Sequence, residues 1–127
     1  MASTDLGHDI VDELAIHRLF AEYCLRFELD TIDDWLDLFA DDAVFEVHRR
    51  ALSGRQEIKD MLSQAPHGVH IGGPCLIKIQ GDKAETVQNY SFLAKEEKFS
   101  NKGWYHRDLV RTGQGWKIAH MKVVMLR

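Results

Sequence analysis

The sequence predicts an α+β fold in which helices pack on one face of a curved antiparallel sheet. Two observations lead to this prediction. Apolar residues recur with a helical period at positions 16–39 and 53–62, and with a strand period from Pro66 onward. Short polar turns separate the later strands, and consecutive strands joined in this way pair antiparallel.

The composition favours a single globular domain over residues 1–127. The chain is 45% hydrophobic and 28% charged, with a formal net charge of −4. "HRR" at 48–50 is its densest basic cluster, which argues against nucleic-acid binding. The chain lacks both a secretory signal and an apolar run of the roughly 20 residues that a membrane span needs. We expect a cytoplasmic protein in which Cys24 and Cys75 stay reduced.

The first helix is indicated by one apolar stripe near the N-terminus. We expect it to begin between Asp5 and Asp9, because acidic side chains suit the positive end of a helix. Its apolar residues recur at i, i+3, i+4, i+7 and i+11, as Ile16, Leu19, Phe20, Tyr23 and Phe27.

A second helix follows directly, with Thr31 as its N-cap residue. Its predicted apolar stripe consists of Ile32, Trp35, Leu38 and Phe39. The period then changes to that of a strand around Val44–Val47, and a turn follows.

A third helix is predicted over 53–62. Ser53 and Gln56 have the spacing of a capping box, in which each side chain bonds the other's backbone N–H. The apolar stripe of this helix consists of Ile58, Met61 and Leu62. Four strands complete the chain, at about 68–79, 83–97, 103–112 and 115–125.

The entrance to the first of these four strands reads "HIGGP". Regular alternation would place His70 on the face of Lys78, away from an apolar interior. Gly72, Gly73 and Pro74 favour a β-bulge, and one extra residue reverses the face on which His70 lies.

The chain resembles the SnoaL-like family of the nuclear-transport-factor-like superfold. The resemblance rests on "AEYCLRFELDTIDDWLDLFADDAVFEV", "LSGRQEI", "HIGGPCLIKIQGDKAET" and "GWYHRDLVRTGQGWKIAH". It implies a cone-shaped curved sheet, wrapped by three N-terminal helices, with an internal pocket. Relatives include polyketide cyclases, dehydratases, a hexachlorocyclohexane dehydrochlorinase, and the non-catalytic small subunits of ring-hydroxylating dioxygenases.

The resemblance also implies a catalytic pair of a histidine and a carboxylate. His70 matches the histidine, and Glu28 stands where the family has an aspartate, with Asp30 as the alternative. An imidazole can move a proton near neutral pH while a carboxylate orients it. Tyr23 either donates a hydrogen bond to a substrate carbonyl or is a core aromatic.

Strand alternation leaves open which side chains line the pocket. Trp104 and His106 share one face of their strand, and Tyr105 and Arg107 share the other. Trp116 and Ile118 share a face with His120, and we expect them in the core or in an interface. The candidate substrate-binding residues are Phe27, Tyr90, Phe92, Trp104, His106 and His120.

The sequence carries no HExxH, CxxC, GxGxxG or P-loop motif, so we expect neither a metal nor a cofactor. Scytalone dehydratase has a second histidine on the strand after the His-Gly motif and a tyrosine in its first strand. Here the strand at 84–94 has no histidine, and the tyrosine is missing at the position near Val47. The sequence therefore disfavours scytalone dehydratase activity.

The predicted function is cofactor-independent acid–base catalysis on a small hydrophobic or aromatic ring compound, by a lyase or isomerase. Elimination, isomerisation and cyclisation would use the same residues. The alternative is a non-catalytic subunit for small-molecule binding or assembly. A homodimer through the sheet fits both.

Overall fold

The computed structural model describes the backbone of residues 6–126 and the side chains of residues 9–126. The predicted start of the first helix therefore lies partly outside the described residues. The elements in chain order are helix α1 (Leu6–Leu29), α2 (Ile32–Leu36), strands β1 (Phe39–Val47) and β2 (Arg50–Ser53), helix α3 (Gly54–Leu62), and strands β3 (Gly68–Gln80), β4 (Lys83–Ala94), β5 (Asn101–Thr112) and β6 (Gly115–Met125).

The six strands form one open sheet in the order β2-β1-β6-β5-β4-β3. Strands β3 to β6 pair antiparallel, as predicted from their short turns. Strand β1 pairs parallel with β6, so the sheet is mixed. No hairpin constrains this pair, because β1 and β6 are the first and last strands of the chain. The α+β fold class is confirmed.

The helices cover one face of the sheet, and the hydrophobic core lies between the helices and this face. The apolar stripe of α1 is buried as predicted at Ile16, Leu19, Phe20 and Tyr23. Trp35 of α2 is also buried, and its indole N–H donates to the carbonyl of Tyr23 over 2.9 Å. None of the described helices is long and apolar enough to cross a membrane.

Helix α2 is shorter than its apolar stripe suggested. Its predicted cap is confirmed, since the backbone N–H of Asp34 donates to Thr31 Oγ1 over 3.2 Å. The helix ends at Leu36, and Phe39 is already the first residue of β1. The carbonyl of Leu38 accepts from the N–H of Ile118, so pairing with β6 draws this segment out of the helix.

The segment after β1 contains a hairpin rather than a turn alone. His48 and Arg49 form the turn with φ values of 52° and 61°, and the chain then returns as β2, a strand that the sequence did not predict. The capping box of α3 also differs from the prediction. The N–H of Ser53 donates to Glu57 Oε1, whereas Gln56 bonds Asp60 on the same helix.

Two irregularities in strand pairing decide which side chains face the helices. In β3, Gly72 pairs with Tyr90 and Cys75 with Gln88, so β3 has one more residue than β4 over this interval. The predicted bulge is therefore confirmed, and His70 faces inward. The second irregularity lies in β6, which has one more residue than β5 at Ala119.

The remaining boundaries differ from the prediction at one turn. Strand β4 ends at Ala94 rather than at position 97, because Glu97–Phe99 forms a turn of 3-10 helix. The other predicted ends of β3, β4, β5 and β6 lie within two residues of those observed.

Candidate functional site

The concave face of the sheet borders a partly open cavity of about 290 Å³. Its wall is formed by all three α-helices, the segment after α3 and the inner faces of β1 and β3 to β6, and it is mainly apolar with several aromatic rings. A dry cavity of about 150 Å³ is large enough for benzene, so this cavity has room for a compound of one or two rings. Six side chains in its wall matter most here: Tyr23, Phe27, His70, Tyr90, Phe92 and Tyr105.

His70 reaches this cavity because the bulge in β3 turns it inward. Its ring lies among aromatic rings, with centroid distances of 4.6 Å to Phe92 and 5.4 Å to Phe27. Its Nδ1 atom is buried and has no hydrogen-bond partner among the described residues. Burial lowers the pKa of His70 to about 4, a direction that the charge of Arg107 reinforces and that of Glu28 opposes. The imidazole is therefore neutral at pH 7.

Glu28 lies beside His70 but bonds other groups. Its Oε1 atom accepts from the backbone N–H of Gly68 over 3.1 Å, and its Oε2 atom lies 3.3 Å from Nδ1 of His67. The structure thus places the carboxylate at the start of β3, two residues before the predicted partner, where its charge still raises the pKa of His70. His67, which is exposed, had no role in the sequence-based prediction.

Asp30, the alternative carboxylate, is directed away from the cavity. It accepts from Arg26 Nε over 2.7 Å, one helical turn earlier on the surface of α1. Arg26 also donates to the carbonyl of Asp34, which holds this ion pair at the junction of α1 and α2. The suggestion that Asp30 orients His70 is therefore wrong in this structure.

Tyr23 is a core residue whose side chain also lines the cavity, and its hydrogen bond to a substrate stays a prediction. The residue is 4% exposed, and burial raises its pKa above the ordinary value. The charge of Arg107 acts in the opposite direction and favours the ionised phenol.

The predicted ring-binding residues fall into two groups. Phe27, Tyr90 and Phe92 line the cavity. Trp104 and His106 lie on the outer face of the sheet, because Tyr105 and Arg107 occupy the inner face of β5. Their assignment to the pocket is wrong.

His120 is also on the outer face, where its Nε2 lies 2.5 Å from Glu46 Oε2. The extra residue Ala119 separates it from Trp116 and Ile118, which are buried. The predicted shared face of these three side chains, and the role of His120 in the pocket, are therefore wrong.

Arg107 is the residue that sequence reasoning missed. It is fully buried, and its guanidinium carbon lies 4.2 Å, 4.3 Å and 4.5 Å from the ring centroids of Phe20, Tyr23 and Tyr105. The available signal was its position between Tyr105 and Leu109 on one strand face, where a charged residue breaks an apolar pattern.

Gln88 connects Arg107 to the bulge. Its Oε1 accepts from Arg107 Nη1 over 2.8 Å, and its Nε2 donates to the carbonyl of Gly73 over 2.9 Å. A Cβ atom at Gly72 would lie 2.6 Å from Gln88 Nε2, so a larger residue there would displace the Gln88 amide. The bulge that orients His70 and the buried cation thus share one hydrogen-bonded link.

Two further observations complete the description of the site. The hydroxyl of Tyr90 donates to Asn101 Oδ1 over 2.5 Å, which adds Asn101 to the polar groups of the wall. Within the described part of the chain, no group of three or more His, Cys, Asp or Glu side chains is arranged to hold a metal ion.

The chain matches one protein family and is similar to several known proteins. The family model described as SnoaL-like domain matches residues 8–122. Among curated proteins, the uncharacterized protein Rv2910c of Mycobacterium tuberculosis is 28% identical over 123 residues, which cover 87% of this chain and 82% of that protein.

Solved structures share the fold over nearly the whole chain. A variant of Rv3472, a function-unknown protein from Mycobacterium tuberculosis, superposes with a TM-score of 0.88 at 21% identity, covering 100% of this chain and 79% of that one. An NTF2-like protein with a cystatin-like fold from Novosphingobium aromaticivorans gives 0.83 at 18% identity, covering 98% and 92%. The hexachlorocyclohexane dehydrochlorinase LinA-type3 from Novosphingobium barchaimii gives 0.81 at 16% identity, covering 94% and 89%.

Proposed function

This chain belongs to the SnoaL-like domain family, and we propose that it catalyses a cofactor-independent proton transfer on a small hydrophobic or aromatic ring compound. The reaction is an elimination, an isomerisation or a cyclisation, so the protein is a lyase or an isomerase. All three reactions begin when a base removes a proton next to a carbonyl or a leaving group.

The observation that carries the proposal is the state of His70. Its Nδ1 atom is buried, without a hydrogen-bond partner among the described side chains, next to a cavity of about 290 Å³. Burial keeps the imidazole neutral at pH 7, so one of its two ring nitrogens carries no proton and can act as a base. The apolar side chains of the wall lower the local polarity and so strengthen electrostatic interactions at the ring.

Glu28 and Tyr23 have supporting roles in this proposal. Glu28 lies close enough for its charge to favour the imidazolium that forms when His70 accepts a proton. Tyr23 lies in the cavity wall, from where its hydroxyl would donate a hydrogen bond to the carbonyl oxygen of the substrate.

Hydrogen–deuterium exchange tests the proposal without knowledge of the natural substrate. Enolisable cyclic ketones are incubated with the protein in deuterated buffer, and exchange at the carbon next to the carbonyl is followed by NMR. We expect wild type to accelerate exchange and His70→Gln to lower the rate by roughly 100-fold or more, since a general base contributes about 10²–10⁴-fold.

His106→Gln is the matched control, because His106 lies on the outer face of the sheet. It should exchange as fast as wild type. Equal rates for wild type and His70→Gln, with both variants folded, would show that His70 is not the base.

A second candidate function is that of a non-catalytic binding or assembly subunit. It is favoured by apolar side chains exposed on the outer face of the sheet, namely Val69, Ile71, Leu76, Leu93 and Trp104. Ring compounds that bind without exchange of any carbon-bound proton would support this candidate.

The outer face also leads us to propose a homodimer formed through the sheet, since a second copy would cover these side chains. We further propose a cytoplasmic location, in which the free thiols of Cys24 and Cys75 stay reduced.

A further inference from the structure

We propose that the cavity binds its ring compound as an oxyanion, a phenolate or an enolate, with Arg107 as the buried counter-charge behind the cavity wall. This inference rests on the proposed function and narrows its substrate class to compounds that carry or form a ring-attached oxyanion. It derives from the distribution of charge around the cavity.

The first observation is that Arg107 is a buried cation with no carboxylate partner among the described residues. Its contacts are neutral groups, namely the amide of Gln88, the phenol of Tyr23 and the faces of three aromatic rings, and its Nε and Nη2 atoms have no hydrogen-bond partner among the described residues. Burial of a charge is unfavourable, and a protein is often more stable when an apolar residue replaces a buried charged one. A ligand anion beyond the rings of Tyr23 and Tyr105 would offset this penalty.

The second observation concerns the wall itself. None of its described lining residues is an aspartate or glutamate. The nearby carboxylate, Glu28, is bonded to the N–H of Gly68 and lies close to His67 instead. No negative side chain in the wall would therefore repel an anionic ligand, and the neutral His70 would not form an ion pair with it before proton transfer.

The third observation is a basic rim beside the mouth of the cavity. We define the basic rim as His48, Arg49, Arg50 and Lys122, which line, together with Glu46, a depression that adjoins the cavity at Val47 and Val123. In the described part of the chain, the three permanent cations of the rim have no carboxylate within salt-bridge distance, and Glu46 lies beside His120 instead. Positive charge therefore exceeds negative charge in this depression, although the chain as a whole carries a net charge of −4.

These charges also fit the proposed proton transfer. When His70 takes a proton from a neutral ring ketone, the electron pair of the broken C–H bond forms a C=C bond, the π pair of the carbonyl moves to its oxygen, and an enolate results. The enolate is the species that Arg107 would stabilise, and its negative charge would favour the imidazolium formed at His70. Arg107 acts through the wall and is therefore a positioning residue.

Binding of 4-nitrophenol tests the inference, because its phenol and phenolate forms absorb at different wavelengths. Its pKa is measured free and bound to the wild-type protein. We expect the bound pKa to fall by about one unit or more, which means that the phenolate binds at least tenfold more tightly than the phenol. 4-Nitroanisole has a similar ring and cannot ionise, so it reports the cavity alone.

Three variants distinguish the effect of the buried charge on binding from the effect of the cavity's shape. Arg107→Met should remove the downward shift of the bound pKa and leave nitroanisole affinity within about threefold. Arg18→Met, which removes an exposed arginine of α1, should keep the shift. The double variant Arg49→Gln/Arg50→Gln should weaken phenolate binding at low salt and reduce its salt dependence, without change to nitroanisole binding.

The outcomes are distinguishable. If wild type binds both probes and the pKa of bound nitrophenol is unchanged or raised, the inference is overturned while the proposed function stands. If wild type binds neither probe, the proposed pocket for ring compounds fails, and this inference fails with it. If Arg107→Met does not fold, two measurements still test the inference. They are the pKa shift of nitrophenol bound to wild type and the salt dependence of phenolate binding to Arg49→Gln/Arg50→Gln.

Discussion

At the level of single residues, the site combines an inward-facing imidazole with a buried cation. His70 and Arg107 both lie on the inner face of the sheet, and each has a polar atom without a partner among the described residues. Unsatisfied buried groups of this kind destabilise a protein, and they are concentrated at functional sites. Their positions next to one cavity are therefore a better indication of function than either residue alone.

The lowered pKa of His70 predicts how stability depends on pH. The unfolded imidazole has a pKa of 6.5 and the folded one about 4, so the unfolded state binds more protons between these values. Stability should therefore fall as pH is lowered from 6.5 to 4. We expect a loss of about 2 kcal/mol from this residue between pH 7 and pH 5.

Urea unfolding of wild type and His70→Gln at both pH values measures this contribution. The difference in unfolding free energy between the two proteins should shift in favour of the variant at pH 5. If it stays constant between pH 7 and pH 5, the imidazole is not desolvated as described.

At the level of elements, one partly buried ion pair fixes helix α1 to the sheet. The carboxylate of Asp12 accepts from Arg111 Nη1 and Nη2 over 2.7 Å and 2.8 Å, and from the indole N–H of Trp116 over 3.3 Å. This contact joins the first helix to the last two strands, and α1 also carries Tyr23 and Glu28. The geometry of the cavity therefore depends on a contact between distant parts of the chain.

Asp12→Asn should lower the free energy of unfolding by about 2 kcal/mol, because it leaves Arg111 with less than its full charge compensation and disturbs a bidentate pair. Asp30→Asn is the matched control on the same helix. Its exposed pair with Arg26 is worth less than about 1 kcal/mol. Chemical denaturation of both variants provides the comparison, and equal losses would show that Asp12 has no special role.

Two single-residue insertions in strands also act at the level of elements. The bulge at Gly72–Cys75 turns His70 toward the helices, and the extra Ala119 turns His120 away from them. Because side chains alternate with a period of two, one added residue exchanges the inner and outer faces of everything beyond it. His70 and His120 therefore face opposite sides of the sheet.

At the level of the whole molecule, the two faces of the sheet serve different purposes in our proposal. The concave face holds the cavity, and the outer face exposes apolar side chains that include Leu76 and Trp104. We expect light scattering to give twice the mass of one chain for wild type at micromolar concentrations. Trp104→Glu should give a monomer, because an uncompensated charge would be buried in the interface.

Leu29→Glu changes an exposed apolar residue of α1 and should leave the dimer intact. A wild-type monomer at these concentrations would contradict the proposed interface. Loss of the dimer in Leu29→Glu alone would place it on the helical face instead.

Local patterns in the sequence were sufficient for the order of most elements, the α+β class, the family and the position of the candidate base. Helical stripes such as that of Ile16–Tyr23 and the "HIGGP" signal for a bulge depend on neighbouring residues, so they are readable from the chain. The parallel pairing of β1 with β6 was not predicted, because no local signal specifies contact between the first strand and the last.

The groups that surround the base became known only from the folded chain. The bonding of Glu28 to Gly68 and His67 rather than to His70, the exclusion of Asp30, and the burial of Arg107 each depend on distances of a few ångströms between α1 and the sheet. Local periodicity can place a side chain on a face, but hydrogen-bond partners and desolvation are set by long-range packing. For this reason the inward position of His70 could be predicted from the sequence, and its electrostatic environment could not.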